Sequence, residues 1–292
     1  MSDTPDSSLG HSARAECRCA LHVVPLAAAL IWVLGAGIAP ASAQQPGPQP
    51  IEKPGDTTAF LPRVNFQLVG NALSGGDPQF TSNAHFGGAA DLVDYAYGIK
   101  GRLSVVGDYE AVLGVEHQLF DPNQDYYILE ASASGWAGRN EMALVFHHVS
   151  RHLSDRFKDY AIAWNVLGAR FLRQFDLGSG TSVAVRAGAG HIVTHATIDY
   201  SSTADVDVTV RHTLNPHAGV FAHGTGQVFT VNPEVLGRTD AQYGGRFEGG
   251  VRFGGRGGAI ELFAGVEHRL DADPIAFIPL TWAIAGFRLV SK

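Results

Sequence analysis

The chain has 292 residues and a formal net charge of −7 at neutral pH. This mild negative charge argues against a nucleic-acid-binding surface, which requires clustered positive charge. After the amino-terminal region, no apolar stretch reaches the length that a membrane helix needs. If the rest of the chain spans a membrane, it must do so as a closed barrel, in which every backbone polar group is paired.

The amino-terminal region predicts a secretory signal peptide over residues 1–43. Arg14 and Arg18 form its basic start, an apolar stretch follows, and Ala41-Ser42-Ala43 matches the small-x-small pattern of signal peptidase sites. We expect cleavage before Gln44. An uncleaved membrane anchor of just sufficient length is the alternative.

The predicted signal peptide contains both cysteines, Cys17 and Cys19. Their removal excludes a catalytic thiol, a disulfide and a Cys-based metal site in the mature chain. Residues 44–58 are rich in Pro, Gly and Gln and predict a flexible periplasmic leader. Residues 59–292 remain as one domain, with no linker that would divide them.

Period-two alternation, the signal of β-strands, recurs throughout residues 59–292. In Arg63–Leu68 the odd positions are polar and the even ones apolar, and the same alternation marks Ile260–Glu267. The pattern predicts an all-β fold, a closed antiparallel transmembrane β-barrel of about twelve strands, with ten to fourteen left open. The expected strands lie near 62–72, 87–98, 109–120, 124–136, 139–150, 159–173, 181–199, 206–221, 226–235, 240–254, 258–269 and 279–290.

Charged residues on one strand face and aliphatic residues on the other fit a polar lumen and a lipid-facing exterior. A soluble β-sandwich or lipocalin-like barrel in the periplasm is the alternative, because alternation does not show which face is inside. Aromatic residues near the predicted strand ends favour the membrane barrel, since Trp and Tyr form girdles at membrane interfaces. They are Tyr126, Tyr127, Trp136, Trp164 and Trp282.

A membrane barrel of this kind belongs in the outer membrane of a Gram-negative-type envelope, with membrane lipid around it. Short connections near 138–139, 176–180 and 254–258 are expected on the periplasmic side, and longer ones near 73–86, 151–158 and 270–278 outside the cell. Ionisable residues along the strands are expected to pair and largely block the lumen. They include Glu110, Glu116, Gln118, Arg170, Arg186, Arg246, Glu248, Arg252, Glu261, Glu267 and Arg269.

The carboxyl terminus, Phe287–Lys292, does not end on an aromatic residue. Outer-membrane barrels usually end on an aromatic residue, which the outer-membrane assembly machinery recognises. That machinery is an expected partner of this chain. The sequence leaves open whether homodimers form.

The segment with chemical content is the predicted strand that ends near Ser150. Met142, Leu144, Phe146, His148 and Ser150 share one strand face, so the His and the Ser continue an apolar stripe that touches lipid. A His two residues from a Ser on one face can act as a base for the hydroxyl.

The next predicted strand supplies a third group on the same side of the barrel. Asn165 shares its strand face with Ala163 and Leu167 and therefore also points outward. Its amide is suited to orient the imidazole of His148, which is the third role in a catalytic triad.

The pattern His148-Val149-Ser150, then Ser154-Asp155, then Trp164-Asn165 resembles outer-membrane phospholipase A. That family is a twelve-stranded barrel with a Ser-His-Asn triad on its lipid-facing exterior. The resemblance implies Ser150 as nucleophile, His148 as general base and Asn165 as the residue that holds the imidazole. It further implies a calcium site near Ser154 and Asp155, the one cofactor suggested. The family follows its Ser with Asn-Gly, where this chain has Arg151-His152.

Two further resemblances give alternatives. Ser150–Asp155 is similar to the Ser-Ser-His-Leu-Gly-Asp stretch of an uncharacterised bacterial outer-membrane protein family. Lipid A deacylases also carry His-x-Ser near the outer rim of a small barrel. The sequence therefore suggests a serine-type lipid esterase that acts on phospholipid or lipid A. A non-enzymatic barrel remains the alternative, either a small channel or a structural or receptor protein.

Overall fold

The computed structural model describes residues 52–154 and 156–291. The predicted signal peptide, its cleavage site and the first part of the leader lie outside the described residues. Twelve antiparallel strands form one closed barrel in which each strand pairs with its sequence neighbours and β1 pairs with β12. The strands are β1 (Ala59–Leu73), β2 (Ser82–Tyr95), β3 (Gly101–Gly114), β4 (Asp121–Ala137), β5 (Asn140–Leu153), β6 (Ile162–Gly178), β7 (Thr181–Ala196), β8 (Tyr200–Asn215), β9 (Ala218–Val231), β10 (Gln242–Gly254), β11 (Gly258–Asp273) and β12 (Ile278–Ser291).

The predicted fold class and strand number are confirmed, but four strands, β2, β3, β8 and β9, begin five or more residues before their expected positions. The sequence predicts a strand near 109–120, whereas β3 runs from Gly101 to Gly114. Adjacent Val105 and Val106 followed by Gly107 interrupt the alternation there, so the pattern conceals the start of the strand. The expected strand near 206–221 passes through Pro216, which instead lies in the turn between β8 and β9. Pro lacks the N–H that a central strand position donates to its neighbour.

The two ends of the barrel differ in the length of their connections, mostly as expected, but the connection expected near 270–278 has only four residues, 274–277. At one end of the barrel, β4–β5, β6–β7 and β8–β9 are joined by two residues each. Gly138 begins the first of these turns with φ 64°, a left-handed conformation that glycine adopts without strain. At the other end lie the connections 74–81, 154–161 and 232–241, which are the longest. The last of these contains a one-turn helix, α1 (Pro233–Leu236), capped by the side chain of Asn232. No helix in the described residues has the length and apolar character needed to cross a membrane.

The exterior of the barrel is apolar on every strand. Each strand exposes at least one large hydrophobic side chain, among them Phe66, Phe86, Val105, Leu129, Leu144, Leu167, Val193, Val206, Val220, Val251, Leu262 and Leu289. A soluble barrel would bury such residues inside. An apolar outer band around a polar interior is the arrangement of outer-membrane barrels, so the expected placement in that membrane is confirmed over the soluble alternative.

Alternating charges cross the interior in a continuous chain of ion pairs. Four glutamates and four arginines take turns along it, in the order Glu110, Arg269, Glu267, Arg246, Glu248, Arg288, Glu261 and Arg252. His85 extends the chain beyond Glu110, and His223 contacts Glu248. Most of the expected lumen residues therefore do pair inside the barrel. Glu116 and Gln118 do not, because β3 ends at Gly114 and both lie in the connection that follows.

Two apolar clusters also lie in the interior. One is built around Tyr126, Phe263 and Trp282, and the other around Trp164 and Tyr200. The expected aromatic girdle is therefore wrong for four of its five members, because Tyr126, Trp136, Trp164 and Trp282 are buried. Of these five residues, only Tyr127 is exposed on the outer surface, with 45% of its surface accessible.

Arg238 anchors the longest connection, 232–241, to the end of the barrel through two ion pairs. Arg238, beyond α1, donates to Asp199 at 2.7 Å and to Asp271 at 2.9 Å. Burial lowers the pKa of Arg238, but the hydrogen bonds to these two carboxylates outweigh it and hold that pKa above its ordinary value. The connection 232–241 is thus held by a permanently charged group.

Residues 52–58, the described part of the predicted leader, contact the opposite end of the barrel. The Glu52 carbonyl accepts a hydrogen bond of 3.0 Å from Arg102. Asp56 forms an ion pair with Lys100 in the connection between β2 and β3. This part of the leader therefore lies against the start of β3.

Candidate functional site

The outer face of β5 carries three polar residues at its end near the longer connections. His148 and Ser150 are half-buried and His152 is exposed, while their neighbours Val149 and Arg151 are buried inside the barrel. The expected placement of His148 and Ser150 on the lipid-facing side is therefore seen. His152 continues the same row, because residues two apart on a strand point the same way.

A hydrogen-bonded chain links β5, β6 and β7 on this outer surface. His148 pairs directly with Asn165 across the strands, and its Nδ1 lies 2.8 Å from Asn165 Oδ1. Asn165 Nδ2 donates to Thr194 Oγ1 at 2.6 Å. Because the amide nitrogen is used by Thr194, its oxygen faces His148 and accepts from Nδ1–H. This fixes the tautomer in which Nε2 carries the lone pair of a base.

Thr194 reaches this position because of a β-bulge. Asn165 pairs with Thr194 and the next residue, Val166, pairs with Ile192, so Val193 is the extra residue. Ile192 is buried inside the barrel. Strict alternation from it would turn Thr194 inward as well, and the bulge turns Thr194 outward instead. Alternation in the sequence alone therefore places Thr194 inside the barrel and leaves it out of the site.

Ser150 binds a different histidine from the one that the sequence indicates. Its Oγ lies 3.0 Å from His152 Nε2. In the described part of the chain, no hydrogen bond joins Ser150 to His148. The structure thus brings His148 and Asn165 together, and it places the nucleophile candidate between two histidines on one strand face.

A carboxylate lies across from His152 on the neighbouring strand. Asp125 on β4 is the direct partner of His152 in the strand register and shares its outward face. Its Oδ2 accepts a hydrogen bond of 2.7 Å from the Ser154 hydroxyl, and its Oδ1 accepts one from the Tyr109 hydroxyl on β3. The sequence analysis missed Asp125, because only the register between β4 and β5 reveals this neighbour.

Aromatic rings form one outward row that leads to the site. Phe86, Tyr109 and Tyr127 are partners on successive strands, with ring centroids 4.8 Å and 5.1 Å apart. Tyr127 is in turn the register partner of Ser150, and its ring meets that of His152 edge-on at 5.2 Å. Tyrosine is typical of the membrane interface, so Ser150 lies at the depth of the lipid headgroups and ester groups.

The apolar stripe below Ser150 agrees with this depth. Phe146, Leu144 and Met142 follow it on the outer face of β5, and each is exposed. From Ser150 to Met142 there are eight residue steps of about 3.4 Å each. On a strand tilted by about 40°, they span roughly 20 Å along the membrane normal. That is most of the apolar band, about 25 Å tall, of an outer-membrane barrel.

The calcium site that the resemblance implies remains a prediction. Ser154 and Asp125 bring two side-chain oxygens together, whereas Ca²⁺ takes six to eight oxygen ligands. No group of three or more His, Cys, Asp or Glu suited to a metal occurs within residues 52–154 and 156–291. Asp155, the other residue that the resemblance suggests for calcium, lies outside the described residues.

No protein-family model matches the sequence, and no curated protein matches it. Among solved structures, outer membrane phospholipase A from Escherichia coli shares 12% identity, with 80% of this chain and 98% of that chain covered and a TM-score of 0.48. LpxR from Salmonella typhimurium shares 10% identity, with 78% and 99% covered and a TM-score of 0.44. The translocator domain of autotransporter NalP from Neisseria meningitidis shares 12% identity, with 78% and 85% covered and a TM-score of 0.32. These likenesses describe barrel shape alone, and the function proposed below rests on the contacts of Ser150 and its neighbours.

Proposed function

We propose that this outer-membrane barrel hydrolyses carboxylic ester bonds of membrane lipids, with Ser150 as its nucleophile. The observation that carries the proposal is the hydrogen bond between the Ser150 hydroxyl and an imidazole nitrogen on the lipid-facing surface. A serine becomes a nucleophile when an adjacent base accepts its proton.

The position of the polar residues supports a functional role for them. His148, Asn165 and Thr194 lie deeper than the aromatic row, since His148 is two residues below Ser150, and the surrounding surface is largely apolar. Polar side chains that face lipid are unfavourable unless they are paired, and intramembrane ionisable groups commonly mark functional sites. Here all three are linked to one another by hydrogen bonds.

The proposed reaction has two halves. In the first, Ser150 Oγ bonds to the ester carbonyl carbon, its proton passes to a histidine ring nitrogen, and the lipid alkoxide leaves with that proton. In the second, water attacks the acyl-serine while the imidazole accepts a proton from the water. The fatty acid is then released and the Ser150 hydroxyl is restored.

The resemblance implies His148 as the base and Asn165 as its orienting amide. Nε2 of His148 has the lone pair that a base needs, since Asn165 occupies Nδ1. Ser150 would have to turn its hydroxyl from His152 toward His148 by rotation about χ1. Phospholipid and lipid A both present acyl esters at the depth of Ser150, so the proposed substrate class is the acyl ester of a membrane lipid.

The experiment is fatty-acid release by the protein purified from outer membranes and kept in detergent micelles. Phospholipid and lipid A are supplied as separate substrates, each with calcium and with chelator, and Ser150→Ala is assayed beside the unaltered protein. Ser202→Ala serves as a matched control, because Ser202 is also an outward serine that hydrogen-bonds a histidine, His191. We expect release that Ser150→Ala abolishes and Ser202→Ala leaves intact. Equal inactivity of all three proteins on both substrates would contradict the proposal and favour a non-enzymatic barrel.

A further inference from the structure

We infer that His152 is the general base that takes the proton of Ser150, and that Asp125 is the positioning residue of this base. The inference rests on the proposed function and deepens it, since it assigns the base role to a residue outside the His148–Asn165 pair. Three observations carry it: a contact, a strand register and a fixed carboxylate.

The contact is the hydrogen bond of 3.0 Å between Ser150 Oγ and His152 Nε2. Because Nε2 is the acceptor when the hydroxyl donates, the proton of His152 belongs on Nδ1. The ring is also held from the side, since Tyr127 packs edge-on against it with centroids 5.2 Å apart. His152 therefore already has the geometry of a base, without a change of rotamer at Ser150.

The register places a carboxylate on the neighbouring strand, directly opposite His152. Asp125 and His152 are direct partners of the antiparallel pair β4–β5, and such partners have Cβ atoms about 5 Å apart. A carboxylate that turns toward the ring stabilises the imidazolium that forms when Ser150 gives up its proton. The order nucleophile, imidazole, carboxylate thus runs along one outer surface.

Asp125 is held in place by two donors. Ser154 donates to Oδ2 at 2.7 Å, and the Tyr109 hydroxyl donates to Oδ1. These bonds restrict the rotamer of the carboxylate. Each oxygen keeps a second lone pair, so the carboxylate can still accept from Nδ1–H of His152.

His148 is less well placed for the same role in this arrangement. It has a fixed tautomer, but its partner Asn165 is neutral and stabilises an imidazolium less than a carboxylate does. It also lies four residues below His152 on the lipid-facing surface, where a positive charge is less favourable. The described titratable groups around His152 are Asp125 and Tyr127 on β4, Tyr109 on β3 and His148 on its own strand.

The test compares His152→Ala, His148→Ala and Asp125→Asn, using fatty-acid release from short-chain phospholipid micelles. General bases contribute about 10²–10⁴-fold to rate, so we expect His152→Ala to lose at least about 100-fold in kcat and to be partly restored by added imidazole. His191→Ala is the control, because His191 is another exposed histidine of the outer face that contacts a serine. It should retain full activity.

Asp125→Asn supplies a readout that a merely structural role would not move. A carboxylate that positions the base affects the chemical step and leaves substrate binding unchanged. Asp125→Asn should therefore lower kcat by at least about tenfold without a change in KM, and Asp125→Glu should partly restore kcat.

The inference and the proposed function fail in different ways. If Ser150→Ala abolishes release, but His152→Ala remains within about threefold of the unaltered protein and His148→Ala abolishes activity, the base is His148 and the inference is overturned. If the unaltered protein and Ser150→Ala are equally inactive, the proposed function itself fails.

Discussion

Glu248 is the carboxylate on which the interior charge chain depends most. It is fully buried and accepts from Arg246 at 2.7 Å, while its other oxygen accepts from Arg288. His223 lies 3.4 Å from the same side chain. Glu248→Gln keeps the shape of the side chain and removes one negative charge from a chain of four glutamates and four arginines.

The expected loss of stability follows from the partners that remain. Arg246 keeps Glu267 and Arg288 keeps Glu261, so neither guanidinium is left alone, but the interior gains one uncompensated positive charge. Removing one member of a buried ion pair costs about 3–5 kcal/mol. We expect Glu248→Gln to lower the free energy of unfolding by about 3 kcal/mol, because the amide oxygen can still accept from one arginine.

The assay is urea unfolding of the barrel in lipid vesicles, followed by tryptophan fluorescence. Glu116→Gln is the control, since Glu116 is exposed in a connection and should change the unfolding free energy by less than about 0.5 kcal/mol. A second variant that adds Arg288→Met to Glu248→Gln should recover at least about 1 kcal/mol, because it restores the balance of charge. If Glu248→Gln is as stable as Glu116→Gln, the interior is hydrated and its ion pairs do not support the fold.

Other predictions concern the interior, the rim and the outer surface. Trp164→Ala should lower the unfolding free energy by about 3–5 kcal/mol, since the ring packs against Tyr200 and Phe229 inside the barrel. Tyr127→Ala, on the outer surface, should change it by less than about 1 kcal/mol, and urea titration compares the two variants. Thr194→Val, which removes one hydroxyl from the chain to Asn165, should lower it by about 1 kcal/mol in the same assay, and an unchanged midpoint would show that the bond contributes nothing. Arg238→Ala should make the connection 232–241 much more susceptible to limited proteolysis, because its two ion pairs to buried carboxylates are lost. Unchanged cleavage would show that these ion pairs do not anchor the connection.

The twelve strands were largely predictable from alternation, and the failures have physical causes. β10 to β12 follow the prediction closely, because Arg246, Glu248 and Arg252 alternate with apolar residues and Gly. β3 has no such contrast around Val105 and Val106. Alternation identifies faces by contrast between neighbours, so a run of similar residues hides both the face and the boundary.

The direction of the aromatic residues could have been predicted better. Trp164 and Asn165 are neighbours on one strand and must point to opposite sides, so an outward Asn165 requires an inward Trp164. The same reasoning separates Tyr126 from Tyr127. Residue type favoured a girdle at all these positions, but the strand period decides, and it places the larger rings in the core of the barrel.

The candidate site was only partly predictable. The outward placement of His148, Ser150 and Asn165 followed from period two, and so did that of His152, whose spacing from Ser150 equals that of His148. Which histidine binds the hydroxyl depends on side-chain rotamers, which alternation does not determine.

The remaining parts of the site depend on pairing between strands. Asp125 lies opposite His152 because of the register of β4 with β5, and Thr194 reaches Asn165 because of the bulge at Val193. Neither register can be read from one strand alone.

The most direct test of a nucleophilic serine on the lipid-facing surface is covalent capture. The protein in detergent micelles is treated with a fluorophosphonate that carries an acyl chain, and the modified peptide is identified by mass spectrometry. We expect a single phosphonylated residue, Ser150, with no label on Ser202 and none after Ser150→Ala. Absence of any adduct on Ser150 under conditions that label a known serine esterase would contradict the account.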